Sequence, residues 1–327
     1  MRWVVVIFAS RESPQVLNET IIAAEVAARG IASIEVLING NAVLAEELKT
    51  RLVRLEKECF AQSQIRVWSI PVGDKSNAWN QYVHQIWSGE DLTFFVDGYV
   101  TLFPDAIQML GDTVAADERA LGGSGMPSVG RSAAKTRQAL SSESGLHGNF
   151  CCIKGGTLRR MVEKQINLPI GLYRMDSLLG AMLCYDLDPG SNIWEDYRIV
   201  VNPKASWRTP CKRWWRAGDV SDYLKRVFRQ AKGDLEKRAY RDLLAFRRLK
   251  AESMPRTACE LVLEWAARCP SDFKSATVCR PLSWIAMEKI RNTEIFPITG
   301  LIPKLIFGNH QLYKTGSNLT FVSGDPA

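Results

Sequence analysis

Runs of contiguous apolar residues alternate with amphipathic stretches through the first hundred positions of the chain. Trp3–Ala9 reads as a buried strand, followed by a helix over Pro14–Arg29, with Pro14 suited to its first turn and Gly30 to its end. Ile34–Ile38 is a second strand and Leu44–Phe60 a charged amphipathic helix. Ile65–Ile70, Lys75–Trp87 and Leu92–Val96 repeat the alternation, the last strand ending at Asp97. Strands separated by helices of this length predict an α/β fold with a mostly parallel sheet covered on both faces. Ligands of such sheets bind at the carboxyl ends of the strands. The loops Ser10–Ser13, Asn39–Asn41 and Asp97–Tyr99 are therefore the first places to look for chemistry.

The pattern loosens from Ala115 to Gly148, where Gly122-Gly123-Ser124-Gly125 and Ser141–Gly145 read as turn-rich. Beyond it, Gly148–Lys154 predicts a strand, Thr157–Lys164 a helix, Met175–Leu183 a short apolar helix and Arg198–Asn202 a further strand. After Pro210 the character changes to basic helices over Val220–Arg248 and Arg256–Arg268, with another over Pro281–Arg291. The tail, Ile302–Ala327, is polar and reads as irregular. These features divide the chain into an α/β domain over 1–215 and a basic, mainly helical C-terminal extension over 216–327.

Composition narrows the class. The chain of 327 residues is 46% hydrophobic and 24% charged, with ten Trp and twelve Phe, which is a globular balance with ample core. No apolar run approaches the roughly 20 residues of a membrane span, and the N-terminus lacks the form of a signal peptide. The expectation is a cytoplasmic protein, free or peripheral at the inner face of a membrane. The net charge of +7 is concentrated: Lys204 to Arg256 holds sixteen Lys or Arg against six Asp or Glu. That excess suits phosphate or anionic lipid, and equally a solvated helix face with i,i+4 pairs. No nucleic-acid recognition motif accompanies it. None of the eight cysteines forms a Cys-x-x-Cys pair, so buried reduced thiols are expected rather than zinc.

Five short motifs follow one another in order, and a further one comes after them. Ile7–Glu12 is a strand running into a polar loop, and Glu35–Asn41 a strand ending at an amide. Val72-Gly73-Asp74-Lys75-Ser76-Asn77-Ala78-Trp79-Asn80 opens a helix. Phe94–Asp105 carries Asp97-Gly98-Tyr99 and Pro104, and His147–Gly156 with Arg174-Met175-Asp176 lies further on. Lys212-Arg213-Trp214-Trp215 closes the series. In this order the segments resemble the family 2 glycosyltransferases, whose GT-A fold is a Rossmann-like nucleotide-diphospho-sugar transferase architecture. The match covers roughly residues 3–215.

The resemblance implies a role for each motif. Ser10, Arg11, Glu12 and Asn39 would meet the nucleoside of the donor, and Lys75 and Asn77 its diphosphate. Asp97 corresponds to the first acidic residue of the family's Asp-x-Asp. Tyr99 stands where the second, the usual direct ligand of Mg2+ or Mn2+, is expected. Three readings stay open: Asp97 alone holds the metal, basic residues replace it, or catalysis is lost. Gly148, Asn149, Arg213 and Trp214 would line the acceptor side, and Asp176 would be the general base of an inverting transfer. The implied partners are a UDP- or GDP-sugar and a glycan or lipid-linked acceptor, as in polysaccharide or glycolipid synthesis, with peripheral contact to anionic membrane. Each motif also has a plain structural alternative: turn chemistry for the loops, a helix cap for Asp74 or Asp176, an interface for Arg213 and Trp214. Tyr99, Met175 and Pro210 each depart from the family pattern, so the alternative to an enzyme is an inactive GT-A scaffold that binds nucleotide or glycan.

Overall fold

The computed structural model describes residues 1–58, 63–128, 133–142, 145–210, 217–278, 280–291 and 302–308. Its first strand, β1 (Trp3–Ala9), is buried along its whole length. Each fully buried Val, Ile or Phe of such a strand contributes about 1.5–3 kcal/mol by leaving water. Helix α1 (Pro14–Ala28) starts at Ser13, whose hydroxyl accepts the Val16 N–H at 3.3 Å, and ends where Arg29 turns left-handed. Strand β2 (Ala32–Asn39), helix α2 (Ala42–Glu58), strand β3 (Ile65–Ile70), helix α3 (Lys75–Gln81) and strand β4 (Leu92–Asp97) complete the predicted alternation. A π turn over Tyr82–Ile86 ends the helical stretch that the sequence predicts to run from Lys75 to Trp87.

The chain continues with β5 (Thr101–Leu102), α4 (Ala106–Ala116), β6 (Gly122–Pro127), α5 (Ala133–Ser142), β7 (Phe150–Lys154), α6 (Gly155–Glu163), α7 (Met175–Cys184) and β8 (Ile199–Arg208). Then come α8 (Ala217–Arg241), α9 (Ala258–Arg268), α10 (Pro270–Thr277), α11 (Pro281–Arg291) and β9 (Lys304–Gly308). The sheet order among the described residues is β5-β8-β6-β7-β4-β1-β2-β3-β9. Strands β4, β1, β2 and β3 are mutually parallel, as predicted. Beyond them the sheet is mixed, because β7 lies antiparallel between β4 and β6, and β9 antiparallel on the outer edge of β3.

Two sequence readings are corrected. Gly122–Gly125 is not a turn but a buried strand whose glycines permit close packing: a Cβ at Gly125 would lie 2.5 Å from the Phe150 ring, and one at Gly123 2.7 Å from Val114. The tail is not wholly irregular either. Leu305-Ile306-Phe307 pairs with the exposed edge of β3, and its residues beyond 308 lie outside the described residues.

One face of the sheet packs against α1, α2 and α4. The other packs against α3, α6, α7 and the C-terminal helices α8 to α11 in a single apolar cluster. That second layer holds the site from behind. One polar group interrupts the buried strands. Glu35, 1% exposed, accepts Arg66 Nε at 2.7 Å and Trp68 Nε1 at 2.6 Å. Burial raises its pKa, and Arg66 opposes that. Arg66→Ala leaves this buried carboxylate with the Trp68 indole alone, and the expected loss is about 3 kcal/mol in a urea or guanidinium unfolding titration.

Candidate functional site

The carboxyl ends of β1, β2 and β3 form one rim, and its loops are tied by main-chain bonds. Glu12 folds back so that one carboxylate oxygen accepts the N–H of Ser10 at 2.6 Å and of Arg11 at 2.9 Å. The Arg11 side chain is exposed above this turn. Asn39, 3% exposed, donates its amide to Ala9 C=O at 2.8 Å, so its N–H side is committed to bridging β2 and β1. Asn41 repeats the device, donating to Ser10 C=O at 2.8 Å while capping α2 through the Leu44 N–H. Between them Gly40 has φ +66°, and a Cβ there would lie 2.3 Å from Gly73 Cα, so the β2 and β3 loops meet backbone to backbone.

Next along the rim is a cluster around Asp97. Gly98 donates to Phe8 C=O at 2.8 Å, and a Cβ at Gly98 would lie 2.9 Å from that oxygen. This close approach fixes Asp97 and Tyr99 on either side of one turn. The Lys75 ammonium bonds Asp97 Oδ1 and also donates to Gly148 C=O at 3.2 Å. It lies 5.5 Å from the centre of the Phe8 ring. Burial disfavours the ammonium, but the charge and hydrogen bond of Asp97, with the charge of Asp176, outweigh it and hold the Lys75 pKa above the ordinary lysine value. Tyr99 donates to Asp97 Oδ2 at 3.0 Å and approaches Asn149 Oδ1 at 3.2 Å. Its ring reaches solvent, with 37% of the residue exposed, while enclosure of the hydroxyl and the nearby Asp97 charge raise its pKa further.

Asp176 sits at the start of α7, and its Oδ2 accepts the Gly148 N–H at 2.9 Å. Among the described residues no hydrogen bond reaches its other oxygen. Gly148 therefore touches both charged groups, the Asp176 carboxylate through its N–H and the Lys75 ammonium through its C=O. The buried hydroxyl of Ser124 shapes this turn, donating to Gly145 C=O at 2.8 Å and accepting the His147 N–H at 2.9 Å. His147 packs against Trp207 with ring centres 5.0 Å apart, and its Nδ1 accepts the Asn149 N–H at 3.3 Å. Burial lowers its pKa against the pull of Asp176 and Asp97, which favours a neutral ring. Neither Ser124, His147 nor Trp207 stands out in the sequence as a site residue; only their meeting across β6, β7 and β8 marks them.

Behind this floor runs a clamp on residues 170–174. Asp74 caps α3 through the Asn77 N–H at 2.8 Å and takes the Gly171 N–H at 3.0 Å with its other oxygen. The α3 amides, expected to face a diphosphate, are thus partly used by Asp74, and Asn77 itself is buried within α3. Asn80 pairs both ways with the main chain of Leu168 at 2.8 Å. From α8, Lys232 donates to Gly171 C=O at 2.7 Å, and Glu236, fully buried, takes the Tyr173 N–H at 3.0 Å. The main-chain N–H of Arg174, one residue before α7, also bonds Glu236. Gly233 lets α8 approach, since a Cβ there would lie 2.8 Å from Arg174 Nε.

Arg213 and Trp214 lie outside the described residues. A surface depression lined by Thr113, Asp117, Arg119 and Val200 shares none of the site's side chains. For a divalent metal the donor set is a poor fit. Asp97 is the single carboxylate at the strand end and both its oxygens are taken, Tyr99 offers a neutral phenol, and among the described residues no group of three His, Cys, Asp or Glu is arranged for an ion.

No protein-family model matches the chain, and no curated protein sequence does. Solved structures do. The mannosyltransferase PcManGT from Pyrobaculum calidifontis, in complex with GDP-Man and Mn2+, is similar at a TM-score of 0.56 and 13% identity, over 90% of this chain and 76% of that one. Residues 1–349 of S. aureus TarS are similar at a TM-score of 0.51 and 10% identity, over 89% of this chain and 80% of that one. The architecture is a mixed α/β sheet with helices on both faces. More specifically, the chain has the GT-A glycosyltransferase fold.

The clamp gives a pH signature. Burial raises the Glu236 pKa to about 7, against Lys232 and its main-chain donors, from an ordinary 4.5. The protonated carboxyl is therefore favoured by folding. Its contribution is complete below pH 4.5 and is lost as pH rises through about 7, on the order of 3 kcal/mol in all. Glu236→Gln is expected to flatten that part of the stability-against-pH curve, read as the difference in Tm between variant and wild type from pH 4.5 to 8.

Proposed function

We propose that the protein transfers a single sugar from a nucleotide-diphosphate sugar, UDP- or GDP-linked, to a hydroxyl of a glycan or lipid-linked acceptor. The observation that carries this reading is Gly148, whose N–H holds Asp176 at 2.9 Å and whose C=O holds Lys75 at 3.2 Å. A carboxylate and a cation thus meet at one residue, which would put both beside a single reacting carbon. The nucleoside is assigned to the rim of Ser10, Arg11, Glu12 and Asn39, and the diphosphate to Lys75. Asn149 and Tyr99 border the place where the two substrates meet.

In the step itself, Asp176 accepts the acceptor hydroxyl proton as that oxygen forms a bond to the anomeric carbon. The bond from that carbon to the diphosphate breaks, and its electron pair leaves on the phosphate oxygen. Attack opposite the leaving group inverts the anomeric centre. The developing charge on the diphosphate needs a fixed positive partner in a site poor in water, and Lys75 supplies it.

Among the described residues no helix is long and apolar enough to cross a membrane. The basic excess around α8 supports peripheral attachment to anionic lipid beside a lipid-linked acceptor. Vesicles containing about a third phosphatidylglycerol should co-sediment the protein, with binding falling as salt rises. Equal binding to neutral vesicles would remove this part of the reading.

The enzymatic reading is tested by nucleotide release from UDP- and GDP-sugars, alongside a thermal-shift series with UDP, GDP, CDP and dTDP. One nucleotide should raise the Tm by mass action. Asp176→Asn should keep that shift and lower turnover about 10²–10⁴-fold. The substitution of Tyr99 for a carboxylate favours one other reading, a scaffold that binds nucleotide without turnover. A Tm shift with no nucleotide release, unchanged by Asp176→Asn, would establish that instead.

A further inference from the structure

A hard divalent ion takes oxygen ligands, with carboxylates the strongest of them. At the end of β4 one carboxylate is present, and each of its oxygens already holds a donor that a metal would have to displace or share: Oδ1 of Asp97 holds the Lys75 ammonium and Oδ2 the Tyr99 hydroxyl at 3.0 Å. The other acids of the rim each hold main-chain N–H groups through one oxygen, Glu12 those of Ser10 and Arg11 and Asp176 that of Gly148, and neither stands beside Asp97 as the second member of an acidic pair. Tyr99 cannot stand in for a carboxylate, because a phenol is neutral far above physiological pH. A cation is nonetheless already in place. Lys75 is on the first residue of α3, packed over the Phe8 ring and directed by two acceptors, Asp97 and Gly148 C=O. An ammonium has three protons. Two are used here, and the third remains for a ligand oxygen.

We propose that Lys75, oriented by Asp97 and Tyr99, holds the donor diphosphate in place of a divalent metal ion, so that donor binding is independent of Mg2+ and Mn2+. This rests on the reading of the site as a nucleotide-sugar site. The charges agree with it. Two carboxylates with a divalent ion sum to zero, and so do Asp97 and Lys75. Tyr99 is then not a damaged metal ligand. It is the group that occupies the second Asp97 oxygen, without adding a negative charge that would compete with phosphate for the ammonium.

The test is calorimetric titration of the full chain with UDP and with GDP, in EDTA and in Mn2+. Wild type should bind the preferred nucleotide with the same Kd, within about threefold, in both buffers. Lys75→Ala should weaken it about 10- to 100-fold, the worth of one hydrogen bond to a charged group, with no recovery on adding Mn2+. Tyr99→Asp restores a carboxylate pair and should make binding metal-dependent, tightening in Mn2+ relative to EDTA. The wild-type comparison needs no variant, so a misfolded Lys75→Ala protein would not void the result. Binding that appears only in Mn2+ would overturn the lysine proposal and leave the glycosyltransferase reading standing. No binding of either nucleotide in either buffer would overturn both.

Discussion

The anchoring of the 170–174 segment is the constraint on which the site depends. Asp74 holds it from the donor side, through the same carboxylate that starts α3 and so places Lys75. Glu236 and Lys232 hold it from α8, one residue before the helix that carries Asp176. Lys75 and Asp176 are set by a single clamped stretch of main chain, and a shift in that stretch moves both. Main-chain N–H groups at the head of α7 have no side-chain cap within their own helix. Burying a carboxylate against them is costly, and the cost is met by their hydrogen bonds and by Lys232. The basic C-terminal helix is thereby a structural part of the cleft, whatever its outer face contacts.

In front of the clamp, electrostatics decide protonation. Burial alone would pull the Lys75 pKa down. Asp97 at hydrogen-bond range and Asp176 beyond Gly148 reverse that outcome. His147, a few residues away in sequence and in the same field, goes the other way, because no carboxylate bonds it and burial prevails. The floor of the cleft thus combines a fixed ammonium, a neutral imidazole and a carboxylate with one oxygen uncommitted. Their separate states follow from contacts rather than from residue type.

Most of the frame is legible in the sequence. Strands β1, β2 and β4 are mostly apolar runs buried along nearly their whole length, and such runs announce themselves, while β3 is buried only at Ile65, Val67 and Ile70. Asp97, Lys75 and Asp176 fall at strand and helix ends, where chemistry is expected. Gly122–Gly125 does not read as a strand, since glycine there answers to the Phe150 ring and Val114, partners distant in the chain. Asn39 reads as a ligand group, yet its amide N–H closes the gap between β2 and β1. Asn41 carries a local sign, an Asn before an apolar helical run, which fits its capping of α2. Glu236, Ser124, His147 and Trp207 carry none. Glu236 sits in a basic amphipathic helix where an acidic residue looks like one half of an i,i+4 pair. It does pair with Lys232 in that way, but its work is on main chain 63 residues earlier.

The departures from the family pattern bear on whether the fold is a working site or a remnant. Polar groups with spare bonding capacity at a solvent-reached surface are where a ligand can add bonds, since water fills them only until it is displaced. Two such groups flank Gly148, both partly open to solvent: the third proton of Lys75 and the second oxygen of Asp176. The first is a donor on a cation and the second an acceptor on a base. A group that satisfies both must present an anionic oxygen and a hydroxyl proton within one residue's span. A nucleotide alone supplies the first, and an acceptor alcohol the second. The proposed transfer would match both at once, whereas a bound nucleotide alone would match only the first.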